Sequence, residues 1–254
     1  MVIFFFTAKL NIMSNLSDVG FTVKSNEDVN SLVENCVKNV EQIPCSKGAY
    51  LKFSDDSGVE IYLQMDHGGE LTGFNPYFNG KSNRQVFITK LIERDSSPLD
   101  GGYHAWSNST ADGEGDYPFV FDLPNVFTNT FNLPHACEIQ LNAFASNDLT
   151  IFDDEESYYD SKDGEFRTSS QSFVPTGLFR DNDDIPPQAH AMFAGTIKEF
   201  ELKTNKTSGE QFYYFLIETF GGEIDVVSDV IYVKTEPKIG GILHGSFWLT
   251  GIVK

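Results

Sequence analysis

The sequence predicts an α+β, β-rich fold: an N-terminal, mainly antiparallel sheet with one packed helix, followed by a small C-terminal OB-like Greek-key β-barrel. Three observations carry this expectation. The 254 residues include 23 Phe, 10 Tyr, 21 Gly and 10 Pro, and the apolar runs are short and bounded by turn residues, which is the pattern of strands. One stretch near the N-terminus repeats with helical spacing. Residues 189–254 read as nearly unbroken strand pattern. The expected organisation is an extension at 1–18, a β-rich α+β domain at 19–185 and an OB-like barrel domain at 189–254. The boundary falls in 180–188 (RDNDDIPPQ), where a charge run meets Pro186 and Pro187.

Residues 1–12 (MVIFFFTAKLNI) hold a short apolar run with no cationic start and no small-residue cleavage site, so they do not read as an export signal. The run has about seven apolar residues against the roughly 20 that cross a bilayer. Met13 is the expected natural start, and the residues before it are an upstream extension or an extra edge strand. Phe21 and Val23 suggest a short strand. Ser25 with Asp28 forms a capping box. Val29, Leu32, Val33, Cys36, Val37 and Val40 then lie on one helical face that ends by Pro44. Ala49, Leu51 and Phe53, a turn at 55–58, and Val59, Ile61, Leu63 and Met65 make a hairpin with one buried face. Further strands are expected at 71–74 and 86–93.

Between residues 98 and 134 four prolines and many Gly, Asn and Asp predict surface connections around a strand at 119–121. Residues 138–145 (EIQLNAFA) alternate as a strand, and the acidic run 153–156 suits the first turn of a short helix. Beyond the boundary, strands are expected at 192–203, 212–219, 223–227, 230–233 and 242–252. Gly195, and the switch from Phe193 and Ile197 to Phe200 and Leu202, mark a bend or bulge in the first of them.

Four phrases, GFNPYF at 73–78, YPFVFD at 117–122, SFVPTGLF at 172–179 and GSFWLTG at 245–251, resemble those of a family of uncharacterised bacterial proteins. The resemblance spans most of the chain from about Val19 onward. It implies no activity, because the phrases are aromatic, proline and glycine contacts of the kind that set a fold.

Composition and motifs exclude more than they assign. With 18 Lys+Arg against 37 Asp+Glu, the formal charge is -19, a field that repels phosphate backbones and anionic lipid. No nucleic acid and no membrane partner is expected. Cys36, Cys45 and Cys137 make an odd number in a chain long enough to need no disulfide staple, which fits a reduced, cytoplasmic compartment. No phosphate-cradling glycine motif and no G-x-S-x-G elbow is present. His67, His104, His135, His190 and His244 lack metal-ligand spacing, so neither a metal nor a cofactor is expected. Asp112, Glu114 and Asp116 alternate as calcium ligands do, but Tyr117 stands where the EF-hand needs glycine, and the segment reads as an acidic surface loop.

Two clusters remain as binding candidates, with no residue assigned to catalysis. Tyr103, His104 and Trp106 sit in what reads as a glycine-bearing loop, where aromatic rings bind sugars or peptides; the competing reading has Trp106 plugging the core. In the last strand, alternation sends Leu243, Phe247 and Leu249 inward and His244, Ser246 and Trp248 outward. There Trp248 is either covered by the N-terminal domain or exposed as an anchor. Three functions follow: a non-enzymatic acidic protein that binds a basic protein partner as accessory, inhibitor or immunity-type protein; a carbohydrate-active or carbohydrate-binding protein; and a small-ligand binder with a pocket between the two domains.

Overall fold

The computed structural model describes residues 15–109, 115–161, 168–180, 182 and 184–254; the expectations for 1–12, Asp112 and Glu114 lie outside them. Helix α1 (Asn26–Cys36) begins at the capping box, where the Ser25 hydroxyl accepts from the Asp28 N–H and the Asp28 carboxylate accepts from the Ser25 N–H. It stops at Cys36, earlier than the apolar spacing suggests, because the chain turns into strand β1 (Glu41–Cys45). Pro44 lies within β1, an edge strand, where its missing N–H costs no ladder bond. The expected strand at Phe21 and Val23 does not form. Phe21 is buried with α1, and its segment is tied down by the Asn205 amide on the Val19 carbonyl (2.9 Å) and the Ser208 hydroxyl on the Gly20 carbonyl (2.5 Å).

Strands β1, β2 (Gly48–Ser54), β3 (Val59–Asp66) and β4 (Leu71–Phe78) form an antiparallel four-stranded sheet in that order. Gly58 closes the β2–β3 turn at φ +98°, a conformation glycine adopts without strain. The hairpin is buried on two faces, where alternation suggested one. Phe53, Ile61 and Leu63 join Val29, Leu32 and Val33 of α1 in one core, while Tyr50, Tyr62 and Tyr77 pack with Leu99 in another.

The remaining strands are β5 (Arg84–Glu93), β6 (Gly101–Ser107), β7 (Pro118–Asp122), β8 (His135–Ala145), β9 (Thr150–Phe152), β10 (Ser172–Val174), β11 (His190–Thr204), β12 (Gln211–Thr219), β13 (Gly222–Asp229) and β14 (Ile242–Val253). A short helix α2 (Glu155–Asp160) starts at the acidic run and is capped by Asp154. These ten strands share one sheet, in the order β10-β11-β12-β13-β8-β5-β6-β7-β14-β9. Pairing of β11 with β14 closes eight of them, β11 to β14 in that order, into a barrel. A further β8–β14 pairing runs across the circuit. Strands on both sides of 180–188 therefore share one barrel, where the sequence suggested closure within 189–254. The pair of strands expected at 223–227 and 230–233 is the single strand β13 followed by a turn.

Alternation explains the filling. Phe119, Phe121, Leu141, Phe193, Phe215, Leu243, Phe247 and Leu249 meet in the barrel core. On β12, Phe212, Tyr214 and Leu216 point the other way, into the core shared with α1, so this strand is apolar on both faces. The pairing of β11 with β12 slips between Ile197 and Glu199. That bulge produces the expected face switch, leaving Phe200 and Leu202 exposed. Among the described residues no helix is long and apolar enough to cross a membrane, and all three cysteines are unpaired.

One buried acid ties the N-terminal segment to the barrel. Asp18 is fully buried; its Oδ1 accepts from the Asp229 N–H (2.8 Å), and its Oδ2 meets no donor. Burial, reinforced by the Asp229 charge, holds this carboxyl well above the usual carboxylate range. The folded state thus binds the proton more tightly than the unfolded chain. The stability gained is complete below about pH 4 and is lost as pH rises through the raised folded value. In urea unfolding between about pH 5 and 8, wild type should lose stability relative to Asp18→Asn, whose side chain cannot ionise. Parallel curves for the two proteins would contradict the shift.

Candidate functional site

The register of β11 on β14 places His190 opposite Trp248. Around them lie two adjoining hollows, of about 230 and 300 Å³, which share Asn15, His190 and Trp248 as lining. The first is completed by Asn75 and Pro76 from β4, Asp122 at the end of β7, and Arg94, Ser96 and Asp100 from the β5–β6 connection. It therefore lies between the N-terminal sheet and the barrel. The second runs along Ser146, Thr176 and Ser246.

An ion pair organises the first hollow. Arg94 donates from Nε (3.0 Å) and Nη2 (2.6 Å) to Oδ1 of Asp122, and from Nη1 to the Pro187 carbonyl (2.5 Å). The indole Nε1–H of Trp248 donates to the other oxygen, Oδ2, of the same carboxylate (2.9 Å). The ring also packs on Phe144, with centroids 5.0 Å apart. Burial raises the Asp122 pKa, and the Arg94 charge opposes that rise. Asp100 accepts from the Asn75 amide (3.1 Å) and the Ser96 hydroxyl (2.5 Å). His190 keeps solvent access at the mouth of the hollows, and desolvation by the surrounding protein atoms, with Arg94 second, lowers its pKa from the ordinary value, so the ring is neutral at pH 7. Neither of its nitrogens hydrogen-bonds another described residue.

Chemically, the Arg94 charge is met by Asp122, so the cleft presents no uncompensated cation to an anionic ligand. What it presents is an indole with its edge pinned, a neutral imidazole whose donor and acceptor no other described residue takes, the Asp100 carboxylate, and amide and hydroxyl groups.

Of the five residues selected from sequence, Trp248 lines this cleft. Tyr103, His104 and Trp106 lie on strand β6 and not in a loop. Tyr103 is buried in the barrel core beside Phe121 and Phe131. His104, on the opposite face, has Nδ1 2.7 Å from the Thr89 hydroxyl, and burial lowers its pKa. Trp106 is partly buried and stands opposite Phe87 and Pro118 in the sheet. His244 faces Tyr158 of α2, at a ring distance of 6.0 Å. Sequence reasoning missed Arg94, Asp100, Asp122 and His190 as site residues. A usable signal existed for Asp122: inward Phe119 and Phe121 send it to the outer face of its strand.

No family model, curated protein or solved structure matches the chain. Among the described residues no cluster of His, Cys, Asp and Glu is arranged to hold a metal ion.

Proposed function

We propose that the protein binds a neutral, hydroxyl-rich small molecule, of which a sugar is the type case, in the cleft between the N-terminal sheet and the barrel. The observation that carries this reading is Trp248, held by Asp122 between two hollows lined by amides and hydroxyls. Sugars are recognised by an apolar ring face together with fixed donors and acceptors, and this lining supplies both. The reading is one of binding: the oxygens of Asp122 already accept three hydrogen bonds, which suits a carboxylate that positions its neighbours.

The barrel detail supports the same ligand class. Strands β11-β12-β13-β8-β14 close a ring of five, in which β13–β8 is parallel and the other pairs are antiparallel. We read this as an OB-like order in which the earlier strand β8 takes a place the C-terminal segment does not fill. OB barrels bind oligonucleotides and oligosaccharides, and a charge of -19 disfavours the former. The three free cysteines go with a cytoplasmic site of action.

The test is titration of the full chain with neutral monosaccharides and disaccharides and with the matching uronic acids, followed by tryptophan fluorescence. Neutral sugars should shift the emission of wild type and leave that of Trp248→Phe unchanged. Preference for the uronic acids, or a response that survives in Trp248→Phe, would contradict the proposal.

A further inference from the structure

We propose that the outer edge of β11 from Glu199 to Lys203 pairs antiparallel with the same edge of a second copy of the chain, across a two-fold axis at Glu201. The β14 ladder leaves β11 at Thr196 and the Gly240–Gly241 turn still bonds Ile197, while β12 continues on the opposite edge as far as Thr204. Among the described residues no strand pairs with the outer edge of β11 beyond that point. Such an edge is a template for another strand. The contrast lies within the same molecule, since edge strand β1 carries Pro44, which blunts it. Nothing comparable interrupts Glu-Phe-Glu-Leu-Lys at 199–203.

That pentapeptide is complementary to itself. Antiparallel pairing about Glu201 sets Phe200 of one protomer opposite Leu202 of the partner subunit, and Glu199 opposite Lys203 of the partner subunit, each contact occurring twice by symmetry. Phe200 and Leu202 are 38% and 44% exposed in the single chain, a high exposure for neighbouring large apolar groups on one strand face. On the other face Glu199 meets Lys81, and Lys203, whose side chain is mostly buried over the Phe78 and Tyr214 rings, lies 3.1 Å from Glu201; the exposed Glu199–Lys81 pair is of small worth and can be given up for Lys203 of the partner subunit. In the dimer the own-chain Lys203 beside each Glu201 offsets the central contact between like charges. A shift of one residue toward the N-terminus would instead oppose Glu199 with Glu201 twice, so charge selects the register. The net charge of -19 opposes association at long range, but at physiological salt the Debye length is about 8 Å, which screens distant charges more than pairs in contact.

Sedimentation velocity of the full chain, from micromolar to millimolar protein at physiological salt, tests the pairing. Wild type should pass from monomer to dimer, and amide hydrogens of 199–203 should gain protection over the same range. Lys203→Glu, checked for folding by circular dichroism, should weaken the dimer about tenfold by turning both cross-axis pairs repulsive. The double variant Glu199→Lys, Lys203→Glu exchanges the charges and should restore it. A monomer at every concentration overturns the proposal, as does a dimer that the double variant fails to restore. Protection of this edge by an alternating Lys-Val peptide, without any dimer, would likewise overturn it in favour of a basic partner strand.

Discussion

Replacing Asp225 with Ala should cost about 4 kcal/mol of stability, because it removes a buried carboxylate that four groups were placed to donate to. Asp225 on β13 is fully buried. Its oxygens accept from the backbone N–H groups of Lys81 and Ser82, from Nε2 of Gln140 on β8 and from the Tyr214 hydroxyl on β12, each at 2.9 Å. One side chain thus joins the β4–β5 connection to three barrel strands. Ala would leave the Ser82, Gln140 and Tyr214 donors buried without this acceptor, and each unpaired donor carries a desolvation cost of about 1 to 3 kcal/mol, only part of which relaxation recovers. Asp225→Asn retains the volume but turns an amide N–H₂ toward donors, so its loss should be about 3 kcal/mol. Gly80→Ala tests the same spot from the other side, since a Cβ there would collide with the Asp225 carboxylate. The measurement is the urea midpoint at unchanged slope. An Ala variant with the wild-type midpoint would show that the network adds nothing to folding.

Local signals were legible in the sequence, and long-range pairing was not. The Ser25–Asp28 box, the β2–β3 hairpin and the helix start at Asp154 depend on residues within a few positions of one another, and all three formed where the pattern put them. Strand β6 was misread as a loop because Gly101 and Gly102 and the nearby prolines imitate loop composition, although Tyr103, His104, Ala105 and Trp106 alternate in and out. Barrel closure was hidden for another reason. It needs β13 beside β8, in a parallel register that sets Val226 against Ala143, and no local pattern specifies such a pairing. The same limit governs the site. Trp248 could be placed on the outer face of β14 from alternation, whereas Arg94, Asp122 and His190 reach it from a connection and two other strands. Arg84 is the extreme case. It is a buried guanidinium at the start of β5 whose donors go to Tyr117, Thr219 and the Gly222 carbonyl, and a charged residue in that position reads from sequence as solvated.

Trp248→Ala should abolish neutral-sugar binding and also cost about 3 kcal/mol of stability, the usual scale for deleting a large, mostly packed aromatic. Two losses combine in the folded protein: the packing of the indole on Phe144 and the Nε1–H bond that completes Asp122. Because stability and binding fall together in that variant, it cannot separate an anchor from a plug, and two milder substitutions do so. Trp248→Phe keeps an apolar ring but removes the donor to Asp122 and part of the ring volume, so it should lose about 1.5 kcal/mol of stability and about tenfold in affinity. His190→Ala removes a side chain that bonds no other described residue, so its stability should stay within about 0.5 kcal/mol of wild type. Affinity in that variant should nevertheless fall about tenfold, because a neutral imidazole lining both hollows is lost to the ligand. Calorimetric titration beside urea unfolding reads both quantities for each variant. If Trp248→Phe and His190→Ala bind neutral sugars as wild type does, the indole is packing alone and the ligand site lies elsewhere on the molecule.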